Sequence, residues 1–474
     1  MTAFGTPVGT PGTAVGVGLA VVVGVLVVVE PRVAAVAAVI AIVGCVAAAV
    51  TARGADIAGL AWGAVAFTAP FNGVRLSSSV ALSDLFLLVA VVAMLPTIAL
   101  RRRSLRRSGD GVLVGLAMIA AGGLVGTLFA VRPEASLVEV AKFVFAAAGS
   151  IVAMRLWEPD PARVRRFCAL WLGGAVVSSL WALTFSPSIV GRPLGLSTHP
   201  NHLGIVCLLG AAIALGFALG GRSVARRLCM LALLPLVVAL VACGSRAALL
   251  GFFVVVPTVA LMTLRVQLAV RAGAVAAIFG LAVLAGVVHL PADTGLARLF
   301  GDGSTSGSDA SRIDLLSSSI DRYERHPLTG EGFEFAQEAH NVYLQVLGAS
   351  GPLGFLGLVV VVGSVLKAAR RGIRAGPARV GGEHALLAGL AAGYVGYLVA
   401  ALFQNILWDR YLWLYIAALL ALASSLFSAS SGAGRVGISD QLLVEDQVVG
   451  TTRVAQGPLE LPPPDGRSGP GGDG

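Results

Sequence analysis

Glu338-Ala339-His340-Asn341-Val342-Tyr343-Leu344-Gln345 closes the one long hydrophilic stretch between two apolar segments, and Gly351-Pro352-Leu353-Gly354 then leads the chain directly into hydrocarbon. An ionisable, hydrogen-bonding cluster at a membrane surface is costly to place and marks a site where chemistry is expected. Nothing else in so apolar a chain offers a comparable place for proton transfer. The functional reading therefore turns on His340 and the basic residues able to reach it.

Of the 474 residues, 57% are apolar and 12% charged, and mean hydropathy is +0.87. Soluble domains carry about 25% charged residues, so the composition predicts an all-α, polytopic membrane helix bundle. A spanning helix needs about 20 mainly apolar residues. Segments near 13–29, 33–50, 57–71, 80–100, 111–131, 137–155, 167–185, 199–220, 228–243, 247–264, 272–290, 341–366, 385–404 and 410–430 qualify, which gives about 12–14 transmembrane helices. The third is short and contains Pro70, as a re-entrant segment would. The first lacks a basic leader and a small-residue cleavage site, so it reads as a retained span. Residues 1–430 form the expected transmembrane domain, with 290–340 as one large extracytoplasmic loop and 431–474 as a disordered cytoplasmic tail rich in Gly and Pro.

Orientation follows from the excess of Lys and Arg in cytoplasmic loops. Arg101 through Arg107, Arg163 with Arg165 and Arg166, Arg222 with Arg226 and Arg227, Arg265 with Arg271, and Lys367 through Arg379 all fall on one side of the fourteen-span topology. Both termini are then cytoplasmic in a cell (plasma) membrane, and the segments at Gly191, Gly244 and Leu290 are extracytoplasmic. The net charge of +9 is mostly this topology signal, set against anionic membrane lipids. Nucleic-acid binding would instead require basic residues gathered on one folded face with aromatic platforms, so no nucleic-acid partner is expected.

Within the long loop a flexible Gly301-Asp302-Gly303-Ser304 run gives way to a helix-like stretch from Ser311 to about Arg325, with Asp309 or Ser311 as its cap. Pro327 and the glycines at 330 and 332 predict a turn before His340. The five cysteines, at 45, 168, 207, 229 and 243, all lie in or beside spans and show no metal-ligand spacing. No Walker loop occurs. Neither a metal nor a cofactor is implied.

Three arginines on the outer side draw attention: Arg192 in Gly191-Arg192-Pro193, Arg246 in Gly244-Ser245-Arg246-Ala247, and Arg312 after Ser311. A guanidinium is a planar fork of donors matched to phosphate oxygens, and several around one cavity would hold a pyrophosphate. Arginines at such positions also snorkel or pair with loop carboxylates. His340 is ordinarily the kind of residue that caps a span and stays idle. Its neighbours Glu338, Asn341, Tyr343 and Gln345, and the arginines on the same face, favour a general base instead. Nearby cations would keep its imidazole neutral, the form a base requires.

These residues resemble the O-antigen ligase-like membrane proteins, a family of O-antigen ligases, lipid-linked polysaccharide polymerases and related oligosaccharide transferases. The resemblance spans about residues 70–420 and is carried by Asn72 through Arg75 with Ser83-Asp84-Leu85, Gly191-Arg192 with Pro200-Asn201, Ser245-Arg246-Ala247, Ser311-Arg312, Pro327-Leu328-Thr329-Gly330 and Ala339 through Gln345. Gly330-Glu331-Gly332 stands at the family's Gly-Xaa-Gly turn, while the extra N-terminal spans exceed its usual dozen.

The resemblance implies glycosyl transfer, without metal or nucleotide, from an undecaprenyl-pyrophosphate-linked glycan donor to a hydroxyl of a glycan, lipid or wall-polymer acceptor. Arg246, Arg312 and His340 become the expected catalytic residues, with Arg192, Asn341, Tyr343 and Glu338 as substrate-binding candidates. Direct displacement predicts inversion. The rival class is a polytopic solute transporter, for example for bicarbonate. Against it, the membrane interiors hold almost no acids, Asp84 and Lys142 being near the exceptions, which leaves little for a proton or cation relay.

Overall fold

The computed structural model describes residues 56–75, 80–100, 110–189, 191–221, 223–264, 267, 306–335, 340–375 and 382–428. The expected spans at 13–29, 33–50 and 272–290, the first part of the long loop, Glu338 and the 431–474 tail lie outside these residues. All described residues but Ser428 belong to one unit, Met1–Phe427.

Along the chain the helices are α1 (Ile57–Thr68), α2 (Leu82–Leu100), α3 (Asp110–Thr127), α4 (Pro133–Trp157), α5 (Pro161–Thr184), α6 (Pro200–Gly220), α7 (Ser223–Ala242), α8 (Arg246–Met262), α9 (Ser306–Arg325), α10 (Val342–Arg374), α11 (Gly382–Ala400) and α12 (Arg410–Ser428). A two-residue antiparallel ribbon, β1 (Ser188–Ile189) with β2 (Arg192–Pro193), joins α5 to α6. Among the described residues eight helices are long and apolar enough to cross a membrane, namely α3 to α7 and α10 to α12; α1, the Leu82–Leu95 part of α2, and α8 are shorter apolar helices. Each lies on a segment expected from the sequence, and the fold is a polytopic helical bundle. The loop helix α9 begins at Ser306, upstream of the Asp309 or Ser311 cap the sequence suggests.

Local sequence sets the helix starts. Asp160 accepts from Arg163 N–H at 2.8 Å ahead of Pro161, and His199 accepts from Asn201 N–H at 3.1 Å ahead of Pro200. Ser245 caps α8, and Asn341 caps α10 by accepting from the Tyr343 and Leu344 amides. A side-chain acceptor at the cap satisfies an orphan amide, and proline at the next position sacrifices none that the helix uses.

Packing depends on small residues, as expected where lipid offers no hydrophobic drive between helices. A methyl group on Gly115 of α3 would stand 2.5 Å from the Gly357 carbonyl oxygen of α10, and one on Gly396 of α11 would stand 2.7 Å from that of Gly251 in α8. The α6 helix is apolar all round and sits at the centre, with Leu203 and Ile205 through Leu209 wholly enclosed. A helix of that pattern belongs inside a bundle.

The 33-residue α10 bends at Gly351 (φ 62°, ψ −167°), followed by Pro352. Proline has no N–H to give the carbonyl four residues back, which here is Gly348. That carbonyl instead accepts from Glu331 N–H at 2.8 Å, and the next, Ala349, accepts from Gly332 N–H at 3.0 Å. The turn expected at 330–332 is present, with both glycines at positive φ. Its amides repair the broken ladder, which stitches the end of the long loop into the kink. Gly351→Ala places a side chain in a glycine-only conformation against the Leu328 carbonyl. It should destabilise the folded protein by about 1–3 kcal/mol, read as a lowered thermal midpoint in detergent; an unchanged midpoint would contradict this account of the kink.

Candidate functional site

One end of the bundle collects the α1–α2, α3–α4, α5–α6, α7–α8 and α11–α12 connections together with the segment before α10. Gly73 N–H donates to Leu196 O at 2.8 Å, Arg132 N–H to Glu334 at 2.6 Å, and Val342 N–H to Ala401 O at 2.9 Å. At the other end Arg155 pairs with Asp110 at 3.4 Å and Arg165 with Glu383 at 3.0 Å. The sequence-predicted site residues that the structure describes all fall at the first end, or on α9 beside it.

The β1–β2 ribbon holds Arg192. Its Nε donates to Cys243 O at 2.7 Å and its Nη2 to Asn201 Oδ1 at 2.9 Å. Cys243 and Gly244, the latter at φ 67°, make the turn into α8. Ser245 then caps α8 while its hydroxyl accepts from Gln404 Nε2 at 2.7 Å. Half-buried Arg246 is the first residue of α8. Arg192 therefore grips the turn that presents Arg246.

His340 has φ 44°, a left-handed conformation uncommon for a residue with a side chain. The residues after it hold it there. Asn341, besides capping α10, donates from Nδ2 to Leu402 O at 3.0 Å, and Tyr343 donates its hydroxyl to Leu398 O at 2.8 Å. Both therefore spend their polar groups anchoring the His340 segment to the end of α11. His340 is half-buried, and its Nδ1 is enclosed with no hydrogen-bond partner among the described residues. Burial first, and then the positive charge of Arg312, hold its pKa below the ordinary histidine value. The imidazole is accordingly neutral at pH 7.

His199 joins the group, although nothing in its sequence setting singles it out. Burial, followed by the charges of His202, Arg192, His340 and Arg312, lowers its pKa to about 4. A neutral ring is also what its capping role requires, since Nδ1 accepts the Asn201 amide. Arg192, Arg312, His202 and His340 thus all act electrostatically on His199, and Arg312 acts on His340, with Arg246 joined through the turn that Arg192 touches.

Beside this cluster lies a polar cavity of about 240 Å³, lined by Asn72, Arg75, Glu139, Lys142, Thr198, His202, Asn405, Trp408, Asp409, Arg410 and Tyr411, among others. Asn72 Nδ2 donates to Asp409 Oδ1 at 2.6 Å, and Thr198 donates to Asn72 Oδ1 at 3.2 Å. His202 Nδ1 lies 3.0 Å from Asp409 Oδ2 and 2.9 Å from Asn72 Nδ2. Lys142 pairs with Glu139 at 2.7 Å. Buried Asp84 accepts from Ala81 N–H at 2.7 Å and pairs with Arg410, whose guanidinium lies 5.5 Å from the Phe145 ring centre. Phe145 opens a π-helical turn within α4, Phe145–Gly149, a feature frequent at functional sites. The expectation of almost no acids in the membrane interiors is therefore corrected here: Glu139 of α4 and Arg410 of α12 join Asp84 and Lys142, with Asp409 just ahead of α12, each held by a partner of opposite charge or a hydrogen bond. Asp409-Arg410 at the mouth of the last span carried the available signal, because charge at the start of an apolar run has to be enclosed.

No curated protein matches this chain. One solved chain, from a structure titled "Structural coordination of polymerization and crosslinking by a peptidoglycan synthase complex", aligns with a TM-score of 0.40 and 20% identity over 68% of this chain and 97% of its own; a likeness that slight carries no argument. Residues 229–359 match the O-antigen ligase family model. The match covers α8, Arg312, His340 and the kink of α10, and it supports a multi-pass membrane polysaccharide ligase or polymerase. That segment is similar to the O-antigen ligase family, the resemblance its motifs anticipate.

Proposed function

We propose that the protein transfers a glycan from an undecaprenyl-pyrophosphate-linked donor to an acceptor hydroxyl at the extracytoplasmic face of the cell membrane. The observation that carries this reading is the half-buried, neutral imidazole of His340 under the field of Arg312, inside a segment matching the O-antigen ligase family model. In support of the orientation, Arg163, Arg165 and Arg166, Arg226 and Arg227, and Lys367 through Arg374 lie at the end of the bundle opposite the site, as residues of cytoplasmic loops do.

His340 takes the proton of the acceptor hydroxyl as its oxygen forms a bond to the anomeric carbon. The bond from that carbon to the pyrophosphate oxygen breaks on the opposite face, and its electrons remain on the departing lipid pyrophosphate. This single displacement inverts the anomeric centre. Arg246, Arg312 and Arg192 hold the pyrophosphate and stabilise the charge that accumulates on it. Asn341 and Tyr343 are positioning residues that set His340 through the end of α11, and Glu338 is a further candidate for orienting base or acceptor. The reaction in this form asks for no metal or cofactor.

His340→Ala should lower transfer by about 10²–10⁴-fold, the range for loss of a general base, in purified protein supplied with lipid-linked glycan and acceptor and followed by product mass. Unchanged transfer would refute the base assignment, and solute uptake insensitive to the substitution would favour a carrier. Arg246→Gln and Arg312→Gln should each cost about 10²–10³-fold in kcat, as loss of one transition-state donor does. Single-turnover rates measured at saturating donor check this, and a loss confined to KM would assign these arginines to binding alone.

A further inference from the structure

The cavity beside the arginine cluster differs from it in chemistry. Three fixed cations, Arg75, Lys142 and Arg410, meet three carboxylates, Glu139 and Asp409 in the wall and Asp84 behind Arg410. Lys142 and Arg410 are already committed to Glu139 and Asp84, and His202 rests against Asp409. Cations so compensated give a phosphate little to bind, because phosphate capture relies on charge-assisted bonds that the carboxylates already take up.

The other polar groups of the wall form a hydrogen-bonded chain, Thr198 to Asn72 and Asn72 to Asp409 beside the His202 imidazole, and its oxygens keep lone pairs for a further donor. Each hydroxyl of a sugar ring both donates and accepts, and the aromatic side chains of Trp408 and Tyr411 in the same wall suit the ring's apolar edges. A volume of about 240 Å³ lies below the roughly 300–1,000 Å³ of sites for drug-sized ligands, and suits a single monosaccharide. Location adds a further constraint. Thr198 and His202 of the cavity flank His199, and Asn201 of the same turn binds Arg192. The N-terminal turn of α6 therefore separates the cavity from the arginine cluster by the thickness of one helix end.

We propose that this cavity is the subsite for the first sugar ring of the donor, the neutral ring attached to the pyrophosphate. The proposal rests on the glycan-transfer reading above. Asn72, Thr198 and Asp409 take the ring hydroxyls, with His202 orienting Asp409, while the pyrophosphate extends past the α6 turn toward Arg192.

The full chain in lipid nanodiscs tests this by equilibrium binding of two probes: lipid-linked glycan extracted from the source membranes, and bare undecaprenyl pyrophosphate. Asn72→Ala and Thr198→Val should each weaken glycan-lipid binding at least tenfold and leave bare-lipid binding within twofold. Thr198→Val preserves volume and carries the test if Asn72→Ala fails to fold. Equal weakening of both probes would mean that the cavity holds phosphate, and weakening of neither would mean that it holds no substrate; either result overturns the subsite. Transfer by His340→Ala, assayed separately, reads the glycan-transfer mechanism, so failure of one proposal is distinguishable from failure of the other.

Discussion

A charge or polar group enclosed in a membrane protein must find its partner inside the protein, because hydrocarbon supplies none. At the functional end of this bundle that constraint accounts for most of the arrangement. Asp84 and Arg410, Glu139 and Lys142, and Asp409 with His202 and Asn72 are joined across α2, α4, α6 and the α11–α12 connection. Main-chain groups obey the same rule. The carbonyls freed by Pro352 take their hydrogen bonds from Glu331 and Gly332, so the break that would weaken a lipid-facing helix becomes the anchor of the long loop.

The two histidines beside the arginines satisfy the constraint differently. His199 and His340 have burial and positive neighbours, and both are held below the usual histidine pKa. Neutrality avoids the cost of burying an imidazolium, and it leaves a ring nitrogen able to accept a proton. For His199 that nitrogen is occupied by a helix amide. For His340 the enclosed Nδ1 has no partner among the described residues, and the left-handed backbone with its flanking anchors fixes the ring's approach. That combination fits the general base proposed for His340 better than an idle cap.

The spans were legible because hydrocarbon thickness imposes their length and composition directly: α2 to α8 and α10 to α12 fall where apolar runs lie, and the short third segment, with Pro70 beyond it, proves to be the 12-residue α1. His340, Arg192, Arg246 and Arg312 were legible as charges stranded at the ends of apolar runs. Their convergence was not, since it depends on how the loops fold back: Arg192 reaches the Cys243 carbonyl 51 residues on, and His199 lies under the charges of Arg312 and His340 from a later loop. The cavity was the least legible element. Asn72 meets partners 130 and 337 residues away, and nothing local in Asn72, Glu139 or His202 announces the encounter. The expected span at 341–366 already runs through Gly351-Pro352; only the last turns of α10, to Arg374, were hidden, because their run of Lys and Arg reads as a loop.

The account stands on burial, and after it Arg312, keeping the His340 ring neutral. Titration of His340 by imidazole NMR in selectively labelled full-length protein measures this directly. Its midpoint should lie below about 6.5, the ordinary histidine value. Arg312→Gln removes a positive neighbour that disfavours the imidazolium, so the midpoint should rise toward that value. A His340 that titrates at or above 6.5 in the native protein, or one indifferent to Arg312, would contradict the arrangement on which the mechanism depends.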